Sequence, residues 1–245
     1  MSGPPSVAIT GACGRIGRAL AEHLAADGHP LTLIDRPGRG LDAMASCGAV
    51  VELELARELP AGSFSGVDVV VHLAGDANPE GSWETVLADN IQASYHVASA
   101  ALQASCRRLI VASSVHAVSA SPKRPVAPDD PVAPANLYGV SKCFVEALAF
   151  WCAHRGMSAA AVRIGAFQTV EASQQSDADW MADVFIAAPD LVALLARTIT
   201  ADFRFAIFHA SAPGRDVLLD TRATEELLEW RAEHRFPGTD ERRRP

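Results

Sequence analysis

The sequence predicts an α/β protein built on a doubly wound parallel sheet, and three observations support this prediction. Short apolar runs with the length of buried strands alternate with longer stretches of helical spacing. A glycine-rich turn follows the first apolar run. Polar and proline-rich segments follow later runs, where the loops of an open parallel sheet border a ligand crevice. We expect the strand order 3-2-1-4-5-6-7.

The expected elements follow from these patterns in chain order. The strands are expected at Val7–Ile9, Leu31–Ile34, Val50–Leu53, Val67–Leu73, Leu109–Ala112, Ala160–Ile164 and Phe205–Phe208. The helices are expected at Arg15–Ala26, Trp83–Ala104, Leu137–His154 and Leu191–Ile199. One domain should cover residues 1–235, with a small substrate-side lid formed by the loops 119–134 and 165–190 and a disordered polar tail at 236–245. The first loop is proline-rich and the stretch from Phe167 to Asp179 is polar, so both are expected to be irregular.

Composition excludes several classes of partner. The net charge is -8 at pH 7 and basic residues are not clustered before the last few positions, so nucleic acid is not expected. The apolar runs are too short for a membrane helix. Five cysteines without a CxxC pair, and an N-terminus without a basic signal region, indicate a cytoplasmic protein with reduced thiols. Neither metal-ligand spacing nor a Gly-x-Ser-x-Gly motif is present, which disfavours a metal site and a hydrolase.

The first motif joins the first strand to the first helix and has the glycine spacing G-x-x-G-x-x-G. Gly11 permits the tight turn, Gly14 lets a pyrophosphate approach the N–H groups of the helix N-terminus, and Gly17 lets the helix pack close to the strand. A lone glycine pattern is also typical of plain strand-to-helix turns. Because Asp35 ends the second strand, where an acidic residue binds ribose hydroxyls, the pattern predicts a dinucleotide site on a Rossmann fold.

Asp35 also bears on the choice between NAD and NADP. Its carboxylate can accept hydrogen bonds from the adenosine ribose and would repel a 2′-phosphate. Arg36 and Arg39 follow closely and could hold that phosphate instead, or they could be surface charges. We expect NAD, with NADP as the alternative.

The second motif is Tyr138-Gly139-Val140-Ser141-Lys142. Positions i and i+4 share one helix face, so the phenol and the ammonium point the same way. An ammonium near a phenol lowers the tyrosine pKa and suits it to proton transfer. The chain has two tyrosines and two lysines, so this spacing has a chance probability of roughly 2%, which favours a functional pair.

Other candidates lie at the ends of strands. Ser114, at the end of the fifth strand, could hydrogen-bond a substrate oxygen beside Tyr138. His72 reads as a packed, hydrogen-bonded histidine. His116 is open between a substrate contact and a structural histidine, and Trp180 is open between a pocket wall and the core.

Taken together, the stretches 10–17, 71–75, 113–114 and 138–142 resemble the extended short-chain dehydrogenase/reductase superfamily, in its NAD-dependent epimerase/dehydratase branch. The resemblance covers about residues 6–232. Within that branch, the stretches 113–116, 137–144 and 162–165, with the later Trp180, are similar to uronate dehydrogenases.

This resemblance implies roles for individual residues. Tyr138 is the general acid/base, Lys142 binds the nicotinamide ribose, Ser114 contacts the reacting oxygen, and His116 lies near the substrate. The expected cofactor contacts are Gly11, Cys13, Gly14, Arg15, Ile16, Gly17, Asp35, Arg36, Leu73, Ala74, Gly75, Tyr138, Lys142 and Ile164. The expected substrate contacts are Ala77, Ser114, Val115, His116, Gln175 and Trp180. The long helices at 83–104 and 137–154 are the usual dimer faces of the superfamily, which implies a homodimer.

The sequence departs from uronate dehydrogenases where those enzymes hold the substrate. Val115 replaces an asparagine, and Ala77 replaces a serine. Gln175 takes the position of an arginine that binds the sugar carboxylate, and no Lys, Arg or His occurs between Arg163 and Arg197. A wall that carries acidic residues instead should not favour a carboxylate. We expect hydride transfer on a secondary alcohol or ketone of a neutral or cationic cyclic hydroxylated molecule, such as a sugar, a cyclitol or a nucleoside-like metabolite.

The sequence leaves three alternatives open. One is a uronate dehydrogenase proper. A second is a sugar epimerase or dehydratase, although dehydratases of this branch usually carry a threonine followed by acidic residues at the position of Ser114-Val115. The third, from another class, is a non-catalytic NAD(P)-binding sensor, although such proteins commonly lose the tyrosine or lysine that this chain keeps.

Overall fold

Seven parallel strands form the central sheet of the computed structural model, which describes residues 3–174, 179–213 and 217–236. The strands are β1 (Val7–Thr10), β2 (Leu31–Asp35), β3 (Ala49–Glu52), β4 (Val69–His72), β5 (Arg108–Ser114), β6 (Ser158–Ile164) and β9 (Phe205–Ala210). Their order is β3-β2-β1-β4-β5-β6-β9, and every neighbouring pair is parallel. Since β9 is the seventh strand of this sheet, the predicted order and the doubly wound fold are confirmed.

Helices cover both faces of the sheet. The helices are α1 (Arg15–Ala26), α2 (Trp83–Thr85), α3 (Ala93–Gln103), α4 (Leu137–His154), α5 (Val170–Gln174), α6 (Ala188–Thr200) and α7 (Arg222–Leu228). A π-helical stretch, Val86–Gln92, joins α2 to α3, and 3₁₀ turns occupy Leu41–Met44, Val115–Val118 and Asp179–Asp183. A second, two-stranded parallel sheet pairs β7 (Ala166–Gln168) with β8 (Phe185–Ala187).

The strands are buried on both faces, which explains their continuous apolar runs. Val7 and Ile9 point to the face covered by α1 and α6, whereas Ala8 points to the face covered by α3 and α4. All three side chains are fully buried. Successive side chains of a strand alternate between faces, so an all-apolar strand builds two cores at once.

The region after β6 differs from the prediction. The stretch from Phe167 to Asp179, expected to be irregular, contributes to β7 and forms α5. These elements are three and five residues long, too short to show a periodic pattern. Phe236, expected as the first residue of a disordered tail, is buried and meets Phe185 edge-on. The tail beyond Phe236 lies outside the described residues.

The other expected lid loop, 119–134, is tied to the C-terminal part of the chain. The Val126 N–H donates to the Leu218 carbonyl (2.7 Å), and the Asp220 N–H donates to the Val126 carbonyl (2.8 Å). Within the described ranges, no helix has both the length and the apolar character required to cross a membrane.

Candidate active site

Two adjoining cavities run along the carboxyl edge of the sheet. One, of about 300 Å³, reaches from the glycine turn to Asp35 and Arg36. The other, of about 400 Å³, reaches from the same turn to Ser114, Tyr138 and Lys142. They share the lining residues Gly11, Gly14, Leu73, Gly75 and Asp76, so together they form one extended groove. A groove at the switch point of a doubly wound sheet is where such folds bind dinucleotides.

The glycine turn is shaped by close backbone approaches. Gly11 has φ +72°, and a Cβ there would lie 2.7 Å from the Ala74 nitrogen. At Gly17 a Cβ would lie 2.8 Å from the Ala12 Cα, so only glycine lets α1 start this close to the turn. Without side chains at these positions, the N-terminus of α1 is open to a pyrophosphate. The residues present therefore fit NAD.

Asp35 closes the far end of the groove. Its Oδ2 accepts from the Cys13 N–H (2.8 Å) and its Oδ1 accepts from the Arg36 N–H (2.9 Å). Each carboxylate oxygen keeps a second lone pair for a ribose hydroxyl. The Arg36 guanidinium lies 3.8 Å from Asp89, and both side chains are partly exposed.

Ser114, Tyr138 and Lys142 come together at the other end. Ser114 ends β5, and the other two lie one helical turn apart on α4. The Ser114 hydroxyl lies close enough to the Tyr138 hydroxyl to lower the pKa of the phenol. Lys142 Nζ donates to the Ala112 carbonyl (3.0 Å) and lies 5.3 Å from the centre of the Tyr138 ring. All three side chains are buried at the base of the larger cavity.

The direction of the Tyr138 pKa shift differs from the expectation. We expected Lys142 to lower the pKa of Tyr138. Instead, burial raises the pKa of Tyr138, the Ser114 hydroxyl opposes this effect, and Asp76 adds to it. Burial also lowers the pKa of Lys142 to about 8, and Asp76 acts in the opposite direction. Burial is the largest cause of the Tyr138 shift, and the Lys142 ammonium donates to the Ala112 carbonyl.

Asp76 and Asn90 were missed by the sequence analysis. Asn90 lies in the π-helical stretch, where its amide accepts from the Asp76 N–H (2.7 Å) and donates to the Asp76 carbonyl (3.0 Å). The same amide donates to Ser141 Oγ (3.1 Å), which in turn donates to the Tyr138 carbonyl (2.7 Å). Asn90 therefore ties the loop after β4 to α4. Gly75 precedes Asp76 in this loop. A Cβ at Gly75 would lie 2.9 Å from Asn90 Oδ1, so glycine at this position leaves room for the Asn90 amide.

Two further networks support the site from below. His72 bonds Thr10 Oγ1 (2.7 Å) and Ser94 Oγ (2.9 Å), and burial lowers its pKa to about 3, which confirms a packed, neutral histidine. Under β5, Ser113 donates to Glu146 (2.6 Å). Arg163 makes a bidentate ion pair with the same carboxylate (2.8 and 2.9 Å).

A family model described as the NAD dependent epimerase/dehydratase family matches residues 7–201. The chain belongs to this family.

Three curated proteins with similar sequences are dehydrogenases. An L-arabinose 1-dehydrogenase (NAD(P)(+)) of Haloferax volcanii is 36% identical over 67% of this chain and 68% of its own length. An NAD-dependent glucose-6-phosphate dehydrogenase of the same organism is 32% identical over 65% of this chain and 67% of its own. A uronate dehydrogenase of Agrobacterium fabrum is 35% identical over 64% of this chain and 59% of its own.

Solved structures agree with this assignment. The uronate dehydrogenase from Agrobacterium tumefaciens is 26% identical, with a TM-score of 0.76 over 94% of this chain and 85% of that chain. A UDP-galactose 4-epimerase, at 17% identity, has a TM-score of 0.79 over 94% of both chains, which shows the shared fold.

The structure of this epimerase/dehydratase family member places the expected site residues as follows. The groove is lined by Gly11, Gly14, Arg15, Ile16, Gly17, Asp35, Arg36, Leu73, Ala74, Gly75, Ala77, Ser114, Val115, His116, Tyr138, Lys142 and Ile164. Cys13 is buried beside the groove, with its N–H directed at Asp35. Gln175 and the side chain of Trp180 lie outside the described residues.

Proposed function

We propose that this protein is an NAD-dependent dehydrogenase that acts on a ring carbinol of a neutral cyclic sugar, or reduces the corresponding carbonyl. One observation carries the proposal: a single groove joins an acidic ribose site at Asp35 to the Ser114–Tyr138–Lys142 triad. The names of the relatives, which are dehydrogenases of L-arabinose, glucose 6-phosphate and uronates, support the same reaction on a sugar.

The residues that would hold NAD follow from the groove. Asp35 binds the adenosine ribose, and the turn between Gly11 and Gly17 takes the pyrophosphate at the N-terminus of α1. Arg15 borders the turn, where its guanidinium donates to the Phe167 carbonyl (3.1 Å) and to Gln168 Oε1 (3.0 Å). This contact crosses the groove from α1 to β7, so Arg15 would help to enclose the bound cofactor.

The chemistry of the triad is proton transfer and orientation. Bound NAD supplies a nicotinamide ring that takes up a hydride during oxidation of the alcohol. Tyr138 removes the hydroxyl proton, and its oxygen lies next to Ser114, which hydrogen-bonds the same substrate oxygen. Lys142 would orient the ribose, and its buried positive charge lies near the Tyr138 ring, where it favours the phenolate form that accepts the proton. In the reverse direction Tyr138 returns the proton to the carbonyl oxygen.

The charge at the substrate end favours a neutral sugar. Asp76 lines the cavity and acts electrostatically on both Tyr138 and Lys142, so it lies where it would repel a carboxylate. Among the described lining residues the cationic side chains are Arg15 and Lys142. Arg15 is engaged with β7, and Lys142 is buried in the triad.

A substrate panel tests the proposal. Purified protein is incubated with NAD and with neutral pentoses and hexoses, glucose 6-phosphate, glucuronate and galacturonate, while NADH absorbance is recorded. We expect a neutral sugar to be oxidised with the highest kcat/KM. A kcat/KM of about 10⁴ M⁻¹s⁻¹ or above on either uronate, which is the ordinary range of enzymes, would show instead that the protein is a uronate dehydrogenase. No NADH with any sugar would contradict the dehydrogenase assignment.

Two further features belong to the proposal. The five free cysteines agree with a cytoplasmic location, where thiols stay reduced. The protein is proposed to form a homodimer through α3 and α4, where Tyr95 and Phe150 are more than half exposed.

A further inference from the structure

His116 and Asn136 form a hydrogen-bonded pair beside the catalytic tyrosine. Asn136 Nδ2 lies 3.0 Å from His116 Nδ1, and both side chains are half-buried. The His116 ring meets the Tyr138 ring edge-on, with centroids 5.4 Å apart, and it lines the larger cavity together with Ser114. A histidine at this position can bind a substrate oxygen in more than one protonation state, and its neighbours decide which state is present.

The amide of Asn136 has one possible orientation. Asn136 is the N-cap of α4, with φ -145° and ψ 170°, and its Oδ1 accepts from the Gly139 N–H (2.8 Å). The reversed amide would point its NH₂ group at that backbone N–H, so two donors would face each other. The helix cap therefore directs the Asn136 NH₂ group at His116.

This orientation fixes the proton on the histidine. An amide NH₂ can only donate, so His116 Nδ1 must accept and the ring proton resides on Nε2. A second proton on Nδ1 would face the NH₂ group, and burial independently lowers the pKa of His116. The ionisable groups that line the same cavity are Arg15, Asp76, Tyr138 and Lys142.

We propose that Asn136 is a positioning residue that holds His116 as its neutral Nε2–H tautomer, so that His116 offers a hydrogen-bond donor rather than a positive charge to the substrate. Recognition of a sugar by this donor rests on the proposed function. A neutral N–H suits the lone pair of a hydroxyl or ring oxygen, whereas a carboxylate gains most from a charged donor. The His116–Asn136 pair and Asp76 therefore both favour a neutral sugar over a carboxylate.

One substitution separates the cap from the tautomer. Asn136→Asp keeps an oxygen for the Gly139 N–H, and aspartate is an equally good N-cap at a helix N-terminus. Its carboxylate cannot donate, so it should draw the His116 proton to Nδ1 and raise the pKa of His116. Asn136→Ser also keeps an oxygen for the cap, and its shorter side chain withdraws the amide donor from His116; it serves where the aspartate variant does not fold.

The direct measurement is long-range ¹H–¹⁵N NMR of the histidine rings. The chain has eight histidines, and His116 is assigned by the signal lost in His116→Gln. In the wild type at neutral pH we expect a protonated Nε2 and an unprotonated Nδ1. In Asn136→Asp the proton should lie on Nδ1 or on both nitrogens. A wild-type ring protonated on Nδ1, or an unchanged tautomer in the aspartate variant, would overturn the proposal.

Kinetics provide a second test, because a purely structural role of Asn136 would not produce a pH-dependent KM. With the best neutral sugar, KM of Asn136→Asp should rise roughly tenfold near neutrality, the scale of one lost and mismatched hydrogen bond, while kcat changes less. KM should recover as the pH falls, because a charged His116 again donates from Nε2. Asn136→Ser should raise KM less, because the released ring still populates the Nε2–H tautomer in part, and its KM should recover only at a lower pH than in Asn136→Asp, because no carboxylate raises the pKa of His116. A reversed tautomer with unchanged KM would overturn the recognition role of His116. If no sugar is oxidised, only the proposed function fails, because NMR decides the tautomer without substrate.

Discussion

Tyr138 is the residue on which the proposed chemistry depends most directly. Tyr138→Phe removes the hydroxyl that is proposed to transfer the proton and whose pKa Ser114 lowers. We expect turnover to fall by about 10²-fold or more, the usual scale of acid–base assistance, while NAD binding persists. Steady-state kinetics and cofactor titration measure both effects. Tyr95→Phe is the matched control, because Tyr95 is the other tyrosine of the chain and its side chain is exposed on α3. Near-normal turnover of the Tyr138 variant would remove Tyr138 from the mechanism.

Lys142 should make stability depend on pH. Burial lowers its pKa to about 8 in the folded protein, whereas the pKa of an unfolded lysine is about 10.4. Between these values the unfolded chain binds more protons, so the free energy of unfolding contributed by Lys142 rises with pH across this window. Lys142→Met cannot titrate and should lack this rise.

Urea unfolding of both proteins, at about pH 7.5 and about pH 9.5 under reducing conditions, measures the effect. The wild type should gain up to about 2 kcal/mol relative to the variant. The comparison matters because burial raises the pKa of Cys106, Cys143 and Cys152 to about 11, which makes stability fall over an overlapping range in both proteins. A gap that is the same at both pH values would contradict the lowered pKa.

The residues of the site divide by how they are positioned. Tyr138 and Lys142 are predictable from sequence because one helix turn sets their geometry, and Ser114 because it ends a strand. Asp76 and Asn90 are not predictable from sequence. Their roles depend on hydrogen bonds between the Asn90 side chain, in the π-helical stretch, and the Asp76 backbone, in the loop after β4. The sign of the Tyr138 pKa shift was also beyond the sequence, because burial is a property of the folded protein.

At the scale of elements, the sheet strands and the long helices follow from period and length, which a sequence displays. The π-helical stretch Val86–Gln92 does not, because the apolar spacing of this region suits an ordinary α-helix equally well. Such stretches often occur at functional sites, and this one carries Asn90. The short β7 and β8 strands were likewise invisible in the pattern, since each has three residues.

The ion pair between Glu146 and Arg163 joins α4 to β6 beneath the end of β5. Both side chains are at least 95% buried, and Glu146 also accepts from Ser113. Glu146→Leu would leave the Arg163 charge buried without its partner, which should cost about 3–5 kcal/mol of unfolding free energy. Urea denaturation measures this loss.

A double variant sharpens this prediction. Glu146→Leu combined with Arg163→Met replaces the pair by apolar side chains of similar size, and it should recover most of the loss. The variant Arg222→Ala, whose guanidinium pairs with Asp220 and is 82% exposed, should change stability less than Glu146→Leu. A double variant as unstable as Glu146→Leu alone would show that the network acts through its hydrogen bonds rather than through the uncompensated charge.

At the scale of the whole molecule, the two faces of the sheet differ in what they leave exposed. On the face covered by α3 and α4, the large apolar side chains of Tyr95 and Phe150 are 51% and 58% exposed. The other face carries α1 and α6, and α7 packs beside α6. The proposed dimer should therefore use α3 and α4, and light scattering after size exclusion should give twice the chain mass of 25.9 kDa.

Introducing charge tests which face forms this interface. Tyr95→Glu combined with Phe150→Glu would place carboxylates in an apolar contact and should yield the monomer mass, because buried unpaired charges oppose association. Leu227→Glu, on α7, is the matched control, since Leu227 is 44% exposed and should leave the dimer intact. A wild-type monomer, or dissociation caused only by the control, would contradict the proposed interface. If α4 is the dimer face, the monomeric variant should also lose thermal stability, since association of the folded chain no longer adds to it.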